Sequence, residues 1–358
     1  MIRKHQMTLE HRIVAFAQLG EFLAQFSTNG ISKSSEIEDR DKHVQSFQDA
    51  LKQAQLQNPW FTEANILYSI KTWSELLSKD NLEQWIKHYD LPLSNNKTVA
   101  IVMAGNIPLV GFHDFLSVLI TGHKVLIKQS SNDTILLNAI VSYLKHKNPG
   151  FERAIQFADG QLSGFDAVIA TGSNNTARYF DSYFGKYPNI IRKNRNSIAV
   201  LQGDESQKQL EALSDDIFRY YGLGCRNVSK LYVPEDYNFD RFFSAIYKWH
   251  PIIHEHKYAN NYDYNKAVYL MSEFDMLDNG FLVLKQDKSL GSPIATLNFE
   301  YYSSLDQLKH QLSELQPNIQ CVVANGFVES EVKFGRTQKP ELNSYADGID
   351  TVEFLLTI

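Results

Sequence analysis

The strongest constraint on the fold is an alternation of apolar runs and helical segments that starts near residue 97. The run Lys97–Ala104 is apolar on both faces and of strand length, which is typical of a buried parallel strand. Further runs follow at Lys124–Lys128, Ala154–Phe157 and Asp166–Thr171, with helical periodicity between several of them. This order predicts a doubly wound α/β domain, in which helices cover both faces of a parallel sheet.

Turn residues place the helices of this domain. Ser130–Asp133 is expected to cap a helix over Thr134–Lys147, and Gly172–Asn175 is expected to start a helix over Thr176–Phe184. The hydrophobic pattern changes at Pro92. Before it the apolar residues have helical spacing, and after it strand-length apolar runs begin. The first ninety residues predict amphipathic helices at 8–27, 43–57 and 62–90, with a polar loop at 31–42, and we interpret them as a packed cap or a dimer arm.

The second half of the chain predicts another α/β unit. A strand at Ser197–Leu201 and a helix at Leu210–Phe218 lead to Cys225, and a further helix covers Phe239–Trp249. The segment Leu305–Leu315 is also expected to be helical. Strands are predicted at Lys230–Pro234, Ala267–Met271, Phe281–Leu284, Ile294–Leu297, Cys321–Ala324 and Thr351–Ile358.

A chain of 358 residues suggests about two domains, because single hydrophobic cores stop growing near ~250–300 residues. We predict four parts: a helical N-terminal segment packed on the cofactor domain, a dinucleotide-binding domain, a catalytic thiol domain and a C-terminal strand or arm. These parts cover residues 1–90, 91–205, 206–330 and 331–358, respectively.

Composition excludes several classes of protein. The net charge is −6, so nucleic acid is not an expected partner. No apolar run of ~18 residues is present, so no membrane span is expected. Two cysteines and an N-terminus unlike a signal peptide fit a reducing, cytoplasmic setting. His250, His254 and His256 lack further ligands for a tetrahedral zinc site, so we expect no metal.

Cys225 is the candidate nucleophile. It follows Gly222-Leu-Gly224, and glycines beside a thiol let backbone amides point at the atom that the sulfur attacks. Cys321 lies within a short apolar run that predicts a buried strand. On the residues alone, a loop cysteine without a role stays the alternative for Cys225.

A second candidate site lies at the turns that follow the predicted parallel strands. Thr171-Gly-Ser173 joins the carboxyl end of a strand to the amino end of a helix, where free amides and the helix dipole suit a phosphate. An ordinary strand-to-helix turn is the alternative. Lys128 ends another strand at the same edge, and from its position alone a solvated lysine is the better interpretation.

The order of four short motifs resembles the aldehyde dehydrogenase superfamily: Met103–Leu109, Gly122–Lys128, Thr171–Ser173, and Gly224-Cys225 with Ser229–Glu235. Phe334–Pro340 and Asp347–Phe354 resemble its LuxC-type acyl-CoA reductase branch. The resemblance covers about residues 97–358 and implies a dinucleotide-binding α/β domain packed against a catalytic α/β domain, with the thiol in the cleft between them.

The resemblance implies roles for these residues. Cys225 matches the catalytic thiol, and Asn106 matches the asparagine whose amide, with the Cys225 backbone amide, stabilises the oxyanion. Lys128 matches the lysine that contacts the adenosine ribose, and Gly172 and Ser173 match the turn beside the pyrophosphate.

One departure from the superfamily pattern bears on the reaction. Hydrolytic members have a glutamate base where this chain has Arg192–Ser197, and deacylation by water needs a base. We therefore expect reduction of an acyl-CoA or acyl-carrier-protein thioester to an aldehyde. The alternatives are an aldehyde dehydrogenase, an acyl-phosphate reductase, and an acyltransferase or acyl-binding partner. By resemblance we also expect a homodimer or larger homo-oligomer.

The expected cofactor is NADPH. In NAD-preferring members of the superfamily, a carboxylate three residues after the strand lysine binds the adenosine ribose hydroxyls and repels a 2′-phosphate. Here Ser131 stands at that position, so the repulsion is absent. Lys128 would pair with the phosphate, and Ser130 or Ser131 could donate a further hydrogen bond. The alternative is that Ser131 faces solvent and the site does not discriminate.

Overall fold

The computed structural model describes residues 7–29, 42–91 and 97–358. Pro92 and the predicted loop at 31–42, apart from Lys42, lie outside these residues. The chain packs into two compact units: Met1–Lys193 with Glu341–Ile358 forms the first, and Asn194–Pro340 forms the second. The sequence placed domain boundaries after residues 205 and 330 instead. The first unit ends at Lys193, before the predicted boundary, because the strand at Asn196–Val200 pairs with strands of the second unit.

Helices form the amino-terminal part of the first unit, as predicted. They are α1 (Leu9–Asn29), α2 (Lys42–Gln57), α3 (Glu63–Leu76) and α4 (Lys79–Ile86). Helix α1 buries one face in the core, where Phe16, Leu19 and Leu23 are fully buried. The Phe16 ring packs edge-on against the rings of Phe115 and Phe151, with centroids 6.4 and 5.9 Å away. These helices therefore share one hydrophobic core with the α/β part of the unit.

The α/β part of the first unit contains a parallel sheet with strand order β3-β2-β1-β4-β5. The strands are β1 (Thr98–Val102), β2 (Lys124–Lys128), β3 (Ile155–Phe157), β4 (Ala167–Thr171) and β5 (Asn189–Arg192). The helices that alternate with them are α5 (Phe112–Ile120), α6 (Leu136–Lys147), α7 (Phe151–Ala154) and α8 (Asn174–Phe184). The predicted doubly wound fold is confirmed.

The second unit is also α/β and contains a six-stranded sheet of order β11-β6-β7-β10-β9-β8, in which only β8 is antiparallel to its neighbour. Its strands are β6 (Asn196–Val200), β7 (Val228–Pro234), β8 (Met276–Asp278), β9 (Val283–Gln286), β10 (Thr296–Tyr302) and β11 (Ile319–Val323). Its helices are α9 (Gln207–Phe218), α10 (Phe239–Ile246), α11 (His256–Met271) and α12 (Leu305–Leu315).

Two predicted strands are helices. Ala267–Met271 is the last part of α11. In this segment the exposed residues are apolar as well as the buried Tyr269, so the segment is one continuous apolar run. The carboxyl-terminal segment predicted as a strand is helix α13 (Thr351–Leu356). The Asp350 side chain caps this helix by accepting a hydrogen bond from the Glu353 amide, and Val352 and Leu355 are buried in the first unit.

Among the helices of the described ranges, none combines the length and the hydropathy that crossing a bilayer requires.

Candidate active site

The carboxyl ends of β1, β2 and β4 meet at one edge of the first sheet. Val102 of β1 pairs with Lys128 of β2 on one side and with Ala170 of β4 on the other. The chain first crosses from β1 to β2 and later returns to β4 on the opposite side, and α/β sheets bind ligands outside the strand ends at such a switch point. This edge brings together the predicted residues of the first unit: Asn106, Lys128, Ser130, Ser131, Thr171, Gly172 and Ser173.

The turn after β4 starts α8 directly. The Ser173 side chain is the N-cap and accepts a hydrogen bond from the Thr176 amide at 3.2 Å. A Cβ atom on Gly172 would lie 2.9 Å from the Phe180 ring and 3.0 Å from Thr176, so the tight turn requires glycine. The amino end of a helix of 11 residues at a switch point is suited to bind phosphate oxygens.

The turns after β1 and β2 touch each other. A Cβ atom on Gly105 would lie 2.6 Å from Ser130 Oγ and 2.7 Å from Ser130 Cβ, which only a glycine avoids. The next residue, Asn106, is exposed. Glycine therefore lets the Asn106 turn approach the predicted ribose-binding loop.

The loop that contains Ser131 is held by the end of helix α2. Gln57 Nε2 donates to the Ser131 carbonyl at 3.0 Å and to Thr134 Oγ1 at 2.8 Å. Asn58 Nδ2 donates to the Asn132 carbonyl at 3.3 Å. The Ser131 side chain stays exposed. The helical amino-terminal segment thus supports the loop that is predicted to select the cofactor.

The prediction that Ser130–Asp133 caps helix α6 is wrong. The N-cap is Ile135, and no side chain caps it. Asp133 turns instead toward the turn after β1, where its carboxylate accepts a hydrogen bond from the Leu109 amide at 3.2 Å. Burial raises the pKa of Asp133 to about 6.

Lys128 ends β2 and is half-buried. Its ammonium donates to the Gly160 carbonyl at 3.0 Å, in the segment between β3 and β4. This contact places a cation at the ligand-binding edge of the sheet.

Arg192 stands where hydrolytic aldehyde dehydrogenases have their base, according to the sequence match. It is buried, and its guanidinium pairs with Asp114 and donates to Thr351 Oγ1 at 3.1 Å. A guanidinium stays protonated and cannot act as a general base. Arg192 therefore joins α5, β5 and α13 within the first unit.

Cys225 is exposed at the tip of a tight turn in the second unit. The turn closes through the Asn227 amide, which donates to the Gly224 carbonyl at 3.0 Å. The Asn227 side chain accepts from the Gly224 amide at 2.8 Å and donates to the carbonyls of Asp216 and Arg219 at 3.0 and 2.8 Å. Asn227 is buried, so these bonds fix the turn to the end of α9.

The backbone before Cys225 adopts an uncommon conformation. Tyr220, Tyr221 and Gly222 have φ values of 54°, 59° and 75°. The left-handed region costs about 1–2 kcal/mol for each residue that has a Cβ atom, and such outliers concentrate at functional sites. Both tyrosines are buried, which secures the conformation.

Strands β6, β7 and the loop before β10 surround the base of the thiol turn. Ser197 Oγ donates to the Cys225 carbonyl at 2.9 Å. Ser229 Oγ lies 3.4 Å from the Ser197 carbonyl and donates to the Leu290 carbonyl at 2.7 Å. The loop that contains Leu290 therefore packs against the strands that support the thiol turn.

The segment Phe334–Pro340 is anchored on α9. Asp216 accepts hydrogen bonds from the amides of Gly335 and Thr337 at 2.6 and 2.9 Å and from Thr337 Oγ1 at 2.8 Å. Burial raises the pKa of Asp216 to about 6, although these donors oppose the shift. One helix end thus supports both this segment and the turn that contains Cys225.

Cys321 lies on β11 and is buried, as the sequence predicts. Its Sγ is 3.5 Å from Arg226 Nη1. Burial raises the pKa of the Cys321 thiol, so its thiolate is disfavoured. The two cysteines therefore differ in exposure: Cys225 is exposed and Cys321 is buried.

Sequence reasoning missed the residues that hold the site: Gln57, Asn58, Asp133, Ser197, Asp216 and Asn227. A buried asparagine or aspartate has no local sequence signal, because the sequence does not show which backbone groups it binds. In the described ranges, no group of three potential metal-ligating side chains comes together.

Solved structures similar to this chain define its fold as that of the aldehyde dehydrogenases. Aldehyde dehydrogenase 21 from Physcomitrella patens, in complex with succinate, is 12% identical and superposes with a TM-score of 0.62, over 98% of this chain and 89% of that chain. An NAD-dependent aldehyde dehydrogenase from Sinorhizobium meliloti is 10% identical with a TM-score of 0.61, over 93% and 72% of the chains. An NADP-dependent enzyme from E. coli is 12% identical with a TM-score of 0.60, over 89% and 74% of the chains.

The sequence pattern of the acyl-CoA reductase (LuxC) family matches residues 11–246 of this chain, which is more than half of it. The protein therefore belongs to the LuxC acyl-CoA reductase family. A long-chain acyl-protein thioester reductase from Aliivibrio fischeri is 24% identical over 288 residues, which is 72% of this chain. The match spans 58% of that relative's length.

Proposed function

We propose that this protein reduces an acyl thioester to an aldehyde through an acyl-enzyme on Cys225. The observation that supports this most directly is the exposed thiol at the tip of a turn fixed by Asn227. Family membership supports an acyl substrate, and the name of the Aliivibrio fischeri relative describes a reductase of long-chain acyl-protein thioesters. We extend that class of substrate to acyl-CoA and acyl-carrier-protein thioesters.

Cys225 acts as the nucleophile in the proposed reaction. Its Sγ forms a bond to the carbonyl carbon, and the carbon–sulfur bond to the substrate thiol breaks. One thioester replaces another, so this step is nearly isoenergetic, and a thiolate is a strong nucleophile near neutral pH. After reduction of the acyl group, the bond to Cys225 breaks, the aldehyde leaves and the thiolate is regenerated.

A nicotinamide cofactor, when bound, supplies the hydride for the reduction, and the residues at the switch-point edge of the first sheet fit such a cofactor. Helix α8 points its amino end, where Ser173 is the N-cap, at this edge, and the helix dipole there favours a pyrophosphate. Lys128 and the Ser130–Ser131 loop contribute a cation and hydroxyl groups without a carboxylate at position 131. This combination favours NADPH, because no carboxylate at position 131 repels a 2′-phosphate.

The buried Arg192 supports reduction over hydrolysis. By the sequence match, the position of the hydrolytic base holds an arginine that is buried and paired with Asp114. An acyl-enzyme that water cannot attack efficiently survives until it is reduced.

The proposal is tested with the full chain, a long-chain acyl-CoA and NADPH, by following the cofactor's absorbance and trapping the aldehyde. Without cofactor, intact mass measurement should show one acyl group on the protein. Cys225→Ala should lose both signals, whereas Cys321→Ala, the matched control, should keep both.

Other outcomes would point to the alternatives. Acylation that persists in Cys225→Ala would overturn the nucleophile assignment. Turnover of an acyl phosphate without turnover of a thioester would make the protein an acyl-phosphate reductase. Thiol release without oxidation of the cofactor would favour an acyltransferase.

A further inference from the structure

Two side chains from distant parts of the chain hold one peptide group in the turn that follows β1. The Pro108 carbonyl accepts a hydrogen bond from Ser69 Oγ of α3 at 3.0 Å. The Leu109 amide, which belongs to the same peptide group, donates to Asp133 Oδ2 at 3.2 Å. Ser69, Pro108 and Leu109 are buried, and all four residues belong to the first unit. The peptide group is therefore fixed at both of its polar atoms.

Leu109 has a backbone conformation that its side chain disfavours. Its φ value is 58°, in the left-handed region that residues with a Cβ atom rarely adopt. Rotation of the Pro108–Leu109 peptide group would bring Leu109 to a negative φ, but it would break both hydrogen bonds. Strained residues persist only where their surroundings determine them, and they cluster at functional sites. Ser69 and Asp133 are the groups that oppose this rotation.

The Asp133 carboxylate is placed at a cost to stability. Its Oδ1 atom is buried and has no hydrogen-bond partner among the residues that the structure describes. A buried polar oxygen without a partner destabilises a fold. Asp133 also does not cap α6, whose N-cap is Ile135. The contact with the Leu109 amide is therefore what the buried carboxylate provides in return.

The turn that is held in this way contains Asn106. Pro108 fixes its own φ and disfavours a helical backbone for the residue before it, so few free torsions separate Asn106 from the held peptide group. On the other side, Gly105 approaches the loop after β2 so closely that an added Cβ atom would lie 2.6 Å from Ser130 Oγ. The Asp133 amide donates to the Ser130 carbonyl of that loop at 3.1 Å. Asn106 thus lies between two contacts with the same loop.

We propose that Asp133 and Ser69 are positioning residues that set the side-chain amide of Asn106, the residue that by the family resemblance donates to the oxyanion. This inference rests on the proposed function. Neither residue contacts the reacting atoms, because each acts through the backbone of the turn. An oxyanion donor is effective when it is already in place before the reaction, and a small displacement of it suffices for a large loss of rate.

Single-turnover acylation of Cys225 by a long-chain acyl-CoA, followed without cofactor by intact mass measurement, tests the proposal on the full chain. Asp133→Ala should lower the rate constant at saturating acyl-CoA by about 10- to 100-fold, with little change in the concentration for half-saturation, because the oxyanion forms only during the reaction. Asp133→Asn keeps an oxygen that accepts from the Leu109 amide, so it should keep most of the rate. An equal loss in both variants would overturn the role of this hydrogen bond.

Ser69→Ala should lower the acylation rate in the same way, because it releases the other polar atom of the peptide group. Ser74→Ala is the matched control. Ser74 lies on the same helix and donates to the Lys71 carbonyl within α3 at 2.8 Å, so its removal should leave the rate unchanged. Equal rates in the two serine variants would overturn the role of Ser69.

A double-mutant cycle separates positioning from a loss of stability. If Asp133 acts through Asn106, Asp133→Ala should have almost no further effect on the acylation rate of Asn106→Ala, so the two losses are not additive. Two losses that multiply in the double variant would overturn the proposal.

Hydrogen exchange gives a readout that does not depend on the substrate. The backbone amides of residues 104–112 should exchange faster in Asp133→Ala than in the wild type, because the turn opens more often. Unchanged exchange in this segment would show that the turn is held without Asp133 and would overturn the proposal.

The outcomes also separate this inference from the proposed function. A wild type that acyl-CoA does not acylate would overturn the proposed function and, with it, the role of Asp133 and Ser69. Acylation of the wild type at a rate that Asp133→Ala leaves unchanged would overturn the positioning role alone.

Discussion

The Asn227 side-chain oxygen accepts a hydrogen bond from the Gly224 amide at 2.8 Å, while its amide nitrogen donates to the Arg219 carbonyl at 2.8 Å. One buried side chain thus joins both sides of the turn that presents Cys225. The left-handed residues Tyr220 to Gly222 lie inside the loop that these two bonds close. The position of the thiol therefore depends on a residue that is not itself reactive.

Asn227→Ala should lower kcat by as much as about 100-fold with little change in KM, because a small displacement of the nucleophile suffices for such a loss. The rate of alkylation of Cys225 should change in the same variant. Asn265→Ala, which removes another buried asparagine of the same unit, should lower thermal stability but leave kcat unchanged. Equal effects of the two substitutions on kcat would show that Asn227 acts through stability alone.

Asn106→Ala should lower kcat by about 100–1,000-fold, which is typical for the loss of one oxyanion donor. The KM for the cofactor should change little, because the contact would form mainly in the transition state. Steady-state kinetics at saturating cofactor provide the measurement. A change confined to KM would contradict the assignment of Asn106, which rests on the family resemblance.

With an aldehyde and oxidised cofactor, the wild type should form acid slowly, because Arg192 is bound to Asp114 and no carboxylate takes the place of the base. Free CoA should restore turnover, since its thiol replaces water as the acyl acceptor. Acid and acyl-CoA can be quantified separately by mass spectrometry. Rapid acid formation without CoA would mean that another residue activates water.

Ser131→Glu should shift the preference from NADPH toward NADH, because a carboxylate would repel the 2′-phosphate. The ratio of kcat/KM for the two cofactors measures this shift. Lys124→Gln, on the exposed first residue of β2, is a control that changes the net charge by the same one unit at the opposite end of the strand. Equal efficiencies with both cofactors, unchanged in Ser131→Glu, would remove the basis for the NADPH assignment.

Asp216 should make stability depend on pH. Its pKa in the fold is about 6, above the ordinary value of 3.8, so the folded protein binds the proton more tightly than the unfolded chain does. The free energy of unfolding should therefore fall as pH rises from about 4 to about 6, by an amount on the order of 3 kcal/mol.

Asp216→Asn should lack this contribution, so the difference between the variant and the wild type should change across that range of pH. Urea unfolding at several pH values is the measurement. A difference that stays constant from pH 4 to pH 6 would show that Asp216 does not titrate there.

Local sequence determined the α/β character of the chain and the edge of the first sheet where the predicted residues lie. Runs such as Lys97–Ala104 have both faces apolar because both faces of their strand are covered, and this signal is independent of the rest of the fold. Glycine positions were equally informative. Gly105 and Gly172 mark turns where a Cβ atom would collide with a neighbour.

Tertiary packing decided the segments whose local signal was ambiguous. Thr351–Leu356 is short and rich in apolar residues, and it forms a helix because Asp350 caps it and the first unit buries Val352 and Leu355. Asp133 does not cap α6 as predicted. Its carboxylate accepts a hydrogen bond from the Leu109 amide, which only the folded chain brings within reach. Short segments depend on their surroundings in this way because their own conformational preferences are weak.

The sequence by itself identified Cys225 as the candidate nucleophile, since its neighbouring glycines and its place in the motif order are local properties. Only the tertiary structure showed that Asn227 and Asp216 hold the thiol turn and the Phe334–Pro340 segment on one helix end, that Gln57 supports the Ser131 loop, and that Arg192 is buried against Asp114. Most of these contacts join residues far apart in the chain, and no pattern in the sequence reveals the partner of such a side chain.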